Sequence, residues 1–133
     1  MSSENAIIQR ILEAFSAIQS PYSTNEQREG ATAFIEELKR QRDCSNYIHH
    51  ILRQSQSMQP AEYAIVRFLS LKVLEDWLFL SWNQFSVEEH LQMRLSVLDL
   101  VNNHMYLYEN DRSIRTKLAK IITEITKRQV LLL

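Results

Sequence analysis

Pro60-Ala-Glu-Tyr-Ala-Ile-Val-Arg-Phe-Leu-Ser-Leu-Lys-Val-Leu-Glu-Asp-Trp-Leu-Phe-Leu80 is the stretch on which the fold turns. A proline opens it, at the one helical position where a missing N–H costs nothing, and no glycine or second proline follows. Its apolar side chains (Ala64, Ile65, Val66, Phe68, Leu69, Leu71, Val73, Leu74, Trp77, Leu78 and Phe79) surround the axis instead of forming one stripe. Such a helix must be covered on every side, so residues 60–80 are expected to be the central element. Ser70, Lys72, Glu75 and Asp76 interrupt the run, which excludes a transmembrane span.

The neighbours it needs are amphipathic helices. Upstream, Ile7, Ile8, Ile11, Leu12, Phe15 and Ile18 recur at three- and four-residue spacing over 5–19. Ser20-Pro21-Tyr22-Ser23 breaks that helix, and either Ser23 with Glu26 or Thr24 with Gln27 supplies a capping box for a second helix reaching about Arg42. A third, over about 45–54, carries Tyr47, Ile48, Ile51 and Leu52. Downstream, Ser86 and Glu89 cap a fifth helix that sets Leu91, Leu95, Leu98, Val101 and Met105 on one face. Asn110 or Asp111 starts a sixth with Ile114, Leu118, Ile121, Ile122 and Ile125 in line. The starts of the three helix pairs recur about every forty residues, the period of HEAT and armadillo repeats. The expected fold is all-α: an α-α superhelix of about three HEAT-like helix pairs, stacked as a short right-handed solenoid. A closed six-helix bundle satisfies the same connection lengths and remains the competing architecture.

Composition agrees. The 133 residues hold one glycine and two prolines, too little punctuation for a strand-and-turn protein. A net charge of -1 argues against a nucleic-acid binder held by bulk charge. The start of the chain lacks a basic stretch followed by an apolar run, so no secretory signal is expected, and the lone Cys44 has no partner for an internal disulfide. Both point to the cell interior.

A search for chemistry finds little. His49 and His50 are adjacent and diverge on a helix, whereas paired ligands sit three or four apart; His90 and His104 lie at opposite ends of the fifth helix. They read as surface or boundary histidines, and no metal or cofactor is expected. The neighbouring carboxylates Glu36-Glu37, Glu75-Asp76 and Glu88-Glu89 diverge likewise and read as solvated faces. Cys44 falls in a polar connection where Arg42 would lower its pKa, but no histidine partner is specified. One glycine leaves no phosphate-binding loop. The chain is therefore expected not to be an enzyme and to take no small-molecule substrate. Helix six adds a basic set, Arg112, Arg115, Lys117, Lys120, Lys127 and Arg128, suited to an acidic protein or a phosphate backbone.

Three segments carry a family likeness: Ala64-Ile-Val-Arg-Phe-Leu-Ser-Leu-Lys-Val-Leu-Glu75 followed by Trp82-Asn83, Leu95-Ser-Val-Leu-Asp-Leu-Val-Asn102, and Leu118-Ala-Lys-Ile-Ile-Thr-Glu-Ile-Thr-Lys-Arg128. They resemble the second and third repeats of the N-terminal domain of the importin-β/exportin (karyopherin-β) superfamily, and within it the exportins that carry hairpin RNA precursors. The likeness covers residues 1–128, leaving 129–133 as a divergent end. It implies a receptor whose N-terminal repeats grip Ran in its GTP form through the second helix of each pair, moving between nucleus and cytoplasm. Phe68, Lys72, Glu75 and Asp76 on helix four are then the candidate contacts, with Lys117 and Lys120 on helix six. RNA or protein cargo is expected only if the chain is part of a longer one, because three repeats cannot build a cargo-holding arch. Val130 to Leu133 are expected to cover the apolar side of the last pair. A helical-repeat adaptor without Ran or transport activity is the alternative.

Overall fold

The computed structural model describes residues 3–130. Six helices occur in chain order: α1 (Ser3–Gln19), α2 (Asn25–Leu38), α3 (Cys44–Gln54), α4 (Pro60–Ser81), α5 (Val87–Asn103) and α6 (Arg112–Val130). Single 3-10 turns at 55–57, 82–84 and 105–107 follow α3, α4 and α5, and the described residues contain no strand. α1 packs on α2, α3 on α4 and α5 on α6, while α1 also meets α3, and α4 meets α6. The chain is thus a stack of three helical pairs with α2, α4 and α6 along one side.

Local chemistry sets most of the helix starts. Thr24 Oγ1 accepts from the Gln27 N–H while Gln27 Oε1 accepts from the Thr24 N–H, so of the two expected capping boxes this one forms. Ser86 and Glu89 reciprocate in the same way at α5. Asp111 Oδ1 accepts from the N–H groups of Ser113 and Ile114 at the start of α6. Each satisfies amides that would otherwise be orphaned, at about 1 kcal/mol apiece.

α4 is the central helix, with Val66, Leu71, Val73, Leu74, Trp77 and Leu78 all buried. Arg67 lies buried on the same helix. Its Nε donates to Ser55 Oγ at 2.8 Å and one terminal nitrogen to the Tyr106 carbonyl at 3.1 Å, with the guanidinium over the Tyr63 and Tyr106 rings. This one side chain ties α4 to the turns that end α3 and α5.

Four expectations change. α2 stops at Leu38, not Arg42: the Arg40 and Gln41 N–H groups donate three residues back, to the Glu37 and Leu38 carbonyls, and the turn that follows is held by the Trp77 indole N–H, which donates to the Gln41 carbonyl at 2.8 Å. Cys44 opens α3 and is fully buried, so burial pushes its thiol up to about 12, while Arg42 turns away to Glu89 and the Phe85 ring. His90 is a core residue: its ring stacks on Trp82 at 3.7 Å and its Nε2–H donates to the Trp82 carbonyl at 2.7 Å. On α5 the buried stripe is His90, Met93, Val97 and Leu100, whereas Leu91, Leu95 and Met105 from the expected stripe are exposed. The suggested cover, Val130 to Leu133, lies outside the described side chains.

Candidate functional site

The sequence proposed six residues from two helices, and the fold brings them together: Phe68, Lys72, Asp76 and Lys120 along one ridge, with Glu75 and Lys117 largely covered beneath it. α4 presents Ile65, Phe68, Lys72 and Asp76 along the side it shares with α2 and α6, at the three- and four-residue spacing of a helical stripe. Ile65 and Phe68 are exposed, Phe68 by 42%. α6 lies alongside and sends Lys117 and Lys120 toward α4.

Glu75 is the hub. Its side chain is only 3% exposed, and one oxygen takes Lys117 Nζ at 3.3 Å while the other faces Lys120 Nζ at 3.6 Å; Lys72 Nζ stands 3.9 Å away. A carboxylate that deep survives ionised only with cations around it. Glu75 is therefore an internal strut and not a contact surface, which corrects its reading as part of a solvated face. Lys117 also reaches over the Phe68 ring, 5.7 Å from its centre, so the aromatic and the hub share one cation.

Asp76 extends the network to α2. It accepts from Lys39 Nζ at 2.8 Å and from Lys72 Nζ at 3.2 Å, and Lys39 also donates to Glu36 at 2.8 Å. Burial acts to raise the Asp76 carboxyl, but Lys39 and Lys72 outweigh it and hold the group below the ordinary carboxylate range. For Lys39 burial acts downward, and the Asp76 and Glu36 carboxylates reverse it, so its pKa rises. Lys39 was missed by the sequence reading because its role depends on contact between residues 37 positions apart.

What faces water is not the average of these charges. Four lysines meet three carboxylates, yet Glu75 is sealed and Asp76 largely covered, while Lys72 and Lys120 are more than half exposed. Between α4 and α6 the ridge displays ammonium groups beside an aromatic ring, while at its α2 side the Glu36 carboxylate is open to water. At its apolar end, Leu12, Phe15, Ile65 and Val66 line a groove of about 350 Å³ between α1 and α4. An apolar patch beside cations is suited to a protein surface rich in carboxylates.

The basic set on α6 does not form one face. Lys117 and Lys120 serve Glu75, Arg128 lies over the Phe79 ring, and Lys127 pairs with Glu124 at 3.6 Å. Arg115 lines a groove beside Val101 and Tyr108 instead. Among the described residues no three His, Cys, Asp or Glu side chains gather as a metal site, and no helix is long and apolar enough to cross a membrane.

The sequence has named relatives. It is 30% identical over 130 residues, 97% of this chain, to "Exportin-5" of Homo sapiens. It is 24% identical over 123 residues, 92% of this chain, to "Exportin-5" of Dictyostelium discoideum, and 28% identical over 119 residues, 90% of this chain, to "Protein MSN5" of Saccharomyces cerevisiae. The chain spans about a tenth of the length of these relatives. No family model and no solved structure matches it.

Proposed function

Since the chain is an exportin-like karyopherin-β segment in sequence and a stack of helical pairs in structure, we propose that it binds the GTP form of Ran through the α4/α6 ridge, as part of nucleocytoplasmic transport. The observation that carries the reading is the ridge itself: Phe68, Lys72 and Lys120 displayed together on the second helices of two successive pairs. Exposed ammonium groups steer an acidic partner and set its register, and the aromatic supplies apolar contact. Glu75 acts from beneath by fixing Lys117 and Lys120. The division of Lys117, Lys120, Lys127 and Arg128 among Glu75, Glu124 and the Phe79 ring favours a protein over a phosphate backbone as the partner of this surface. Cargo, RNA or protein, is a partner only if the chain is part of a longer receptor.

Titrating the 133-residue chain with Ran loaded with GTP or with GDP tests this reading. Binding to the GTP form alone is expected, and the double substitution Lys72→Glu with Lys120→Glu should weaken it at least tenfold, about 1.4 kcal/mol. Equal binding to both forms, or none, would leave a helical-repeat adaptor for another protein. Lysines are the choice because they are exposed; reversing Glu75 would bury a positive charge against three others and report on folding.

A further inference from the structure

Ser20-Pro21-Tyr22-Ser23 carries the chain from α1 to α2, and the ridge makes no use of it. Pro21 and Tyr22 are exposed, Tyr22 by 93%, so the turn stands clear of the packed helices. Ser20 is half-buried, but its hydroxyl faces the turn: Oγ accepts from the Tyr22 N–H at 3.2 Å and, among the described residues, donates its own proton to no acceptor. The proline that follows biases Ser20 toward extended backbone, which turns it out of the α1 spiral. The chain has two prolines, and the other, Pro60, follows Gln59. Ser20 is therefore the single hydroxyl residue in the sequence placed directly before a proline.

A cation already stands at this residue. Arg28 reaches back from α2, and one of its terminal nitrogens donates to the Ser20 carbonyl at 2.8 Å. Among the described residues it pairs with no carboxylate, unlike Lys39 and Arg42. α1 has no basic residue in its last turn, so Arg28 is the charge that meets the carbonyl end of that helix. The carbonyl and the hydroxyl belong to one residue, and a phosphate on Oγ comes within reach of the same guanidinium. Its planar fork suits two phosphate oxygens at once. Ser20 also lines the groove between α1 and α4, with Glu62 on the same rim.

We propose that Ser20 is a phosphorylation site, modified by a proline-directed kinase, and that Arg28 holds the phosphate it receives. Ser20 Oγ attacks the γ-phosphorus of ATP, the bond from that phosphorus to the β-phosphate oxygen breaks, ADP leaves, and the hydroxyl proton passes to the kinase's base. The product carries a charge of about −1.5 to −2 at neutral pH. Beside Glu62 it turns the mouth of the groove acidic. Thr24 is the weaker acceptor, because its hydroxyl caps α2 by taking the Gln27 N–H, and neither it nor Ser23 precedes a proline. The site lies apart from Lys72 and Lys120 and stands whether or not Ran binds beside them.

The test treats the full chain with a purified proline-directed kinase and magnesium ATP, and maps the product by mass spectrometry. One phosphate on Ser20 is expected, and Ser20→Ala and Pro21→Ala should each abolish it, with an unchanged helical circular dichroism spectrum showing both variants folded. Phosphorus NMR then follows the second ionisation of the phosphate, ordinarily near pH 6. Arg28 should hold it lower by roughly half a unit than in Arg28→Gln, with Arg28→Lys keeping most of the difference because it keeps the charge. A kinase that modifies a peptide of residues 16–26 but leaves the folded chain untouched overturns the proposal, as does a phosphate found on Ser23 or Thr24 in place of Ser20. An ionisation that is the same in wild type and Arg28→Gln overturns the part given to Arg28.

Discussion

At the joint between α2 and α4 the covered charge is a lysine, whereas at the joint between α4 and α6 it is a glutamate. Lys39, with a side chain 10% exposed, is held by two carboxylates of which Glu36 is open to water. Glu75, at 3%, is held by three lysines, of which Lys72 and Lys120 keep their ends in water while Lys117 stays covered. Long aliphatic stems let the Lys72 and Lys120 ammonium groups reach a buried anion and still remain wet. The second joint therefore does two things at once: it links successive pairs and displays cations. The first does only the linking.

The strongest way to break that contrast is Glu75→Gln. It leaves Lys117 covered and uncompensated, and removing one member of a buried pair costs about 3 kcal/mol, the low end of the usual range because Lys72 and Lys120 can retreat to solvent. Urea unfolding should show the loss. Replacing both Glu75 and Lys117 by Leu and Met should return most of it, since apolar isosteres often match a buried ion pair in stability. If the double variant is stable but no longer binds Ran-GTP, the joint is there for display; if it binds normally, Glu75 contributes to folding alone.

Lys39→Ala should cost less, about 1–2 kcal/mol, because Asp76 keeps Lys72 and Glu36 returns to water. Here the expected effect on Ran binding is nil, and a tenfold loss would erase the distinction between the joints.

Much of this fold was legible in the sequence, and the failures share a cause. Helix periodicity, the Ser86 and Thr24 caps and the central place of α4 are local properties that survive without tertiary context. The end of α2 was not legible, since residues 36–42 contain only good helix formers and the turn that replaces the helix is held by an indole 36 positions from Gln41. α5 offered two apolar stripes, and nothing local says which one the core prefers. The six candidate residues were named through resemblance and helix faces, but the depth of Glu75 and the presence of Lys39 depend on side chains meeting across helices. A stretch such as Glu75-Asp76 looks the same in sequence whether its first carboxylate is sealed or solvated.

Acid should separate the two members of the first joint. Asp76 has a folded pKa below its ordinary 3.8, so its contribution is full above that value and disappears as pH falls through the depressed one. Lys39 has a folded pKa above 10.5, so its share is full below 10.5 and is lost as pH rises through the raised value. Wild type and Asp76→Asn should therefore differ by about 1 kcal/mol in urea unfolding at neutral pH, with the gap closing as the pH falls below the ordinary 3.8 and through the depressed folded value. A gap that persisted in acid would assign the difference to packing and not to charge.

Gly30→Ala gives the smallest change and the cleanest reference for the rest. Gly30 sits in the middle of α2 with solvent around it, and a Cβ built there meets no atom within 4 Å. Its backbone is helical with no positive φ, so alanine adopts the same conformation while its unfolded chain has fewer states to lose. The substitution should stabilise by about 0.5–1 kcal/mol in urea unfolding. Because Gly30 touches neither joint, its effect should add to those of Lys39→Ala and Glu75→Gln within about 0.5 kcal/mol. Additivity with Glu75→Gln but not with Lys39→Ala would mean that tightening α2 propagates to the Lys39–Asp76 clamp, making the first joint depend on the helix that carries it and not on its charges alone.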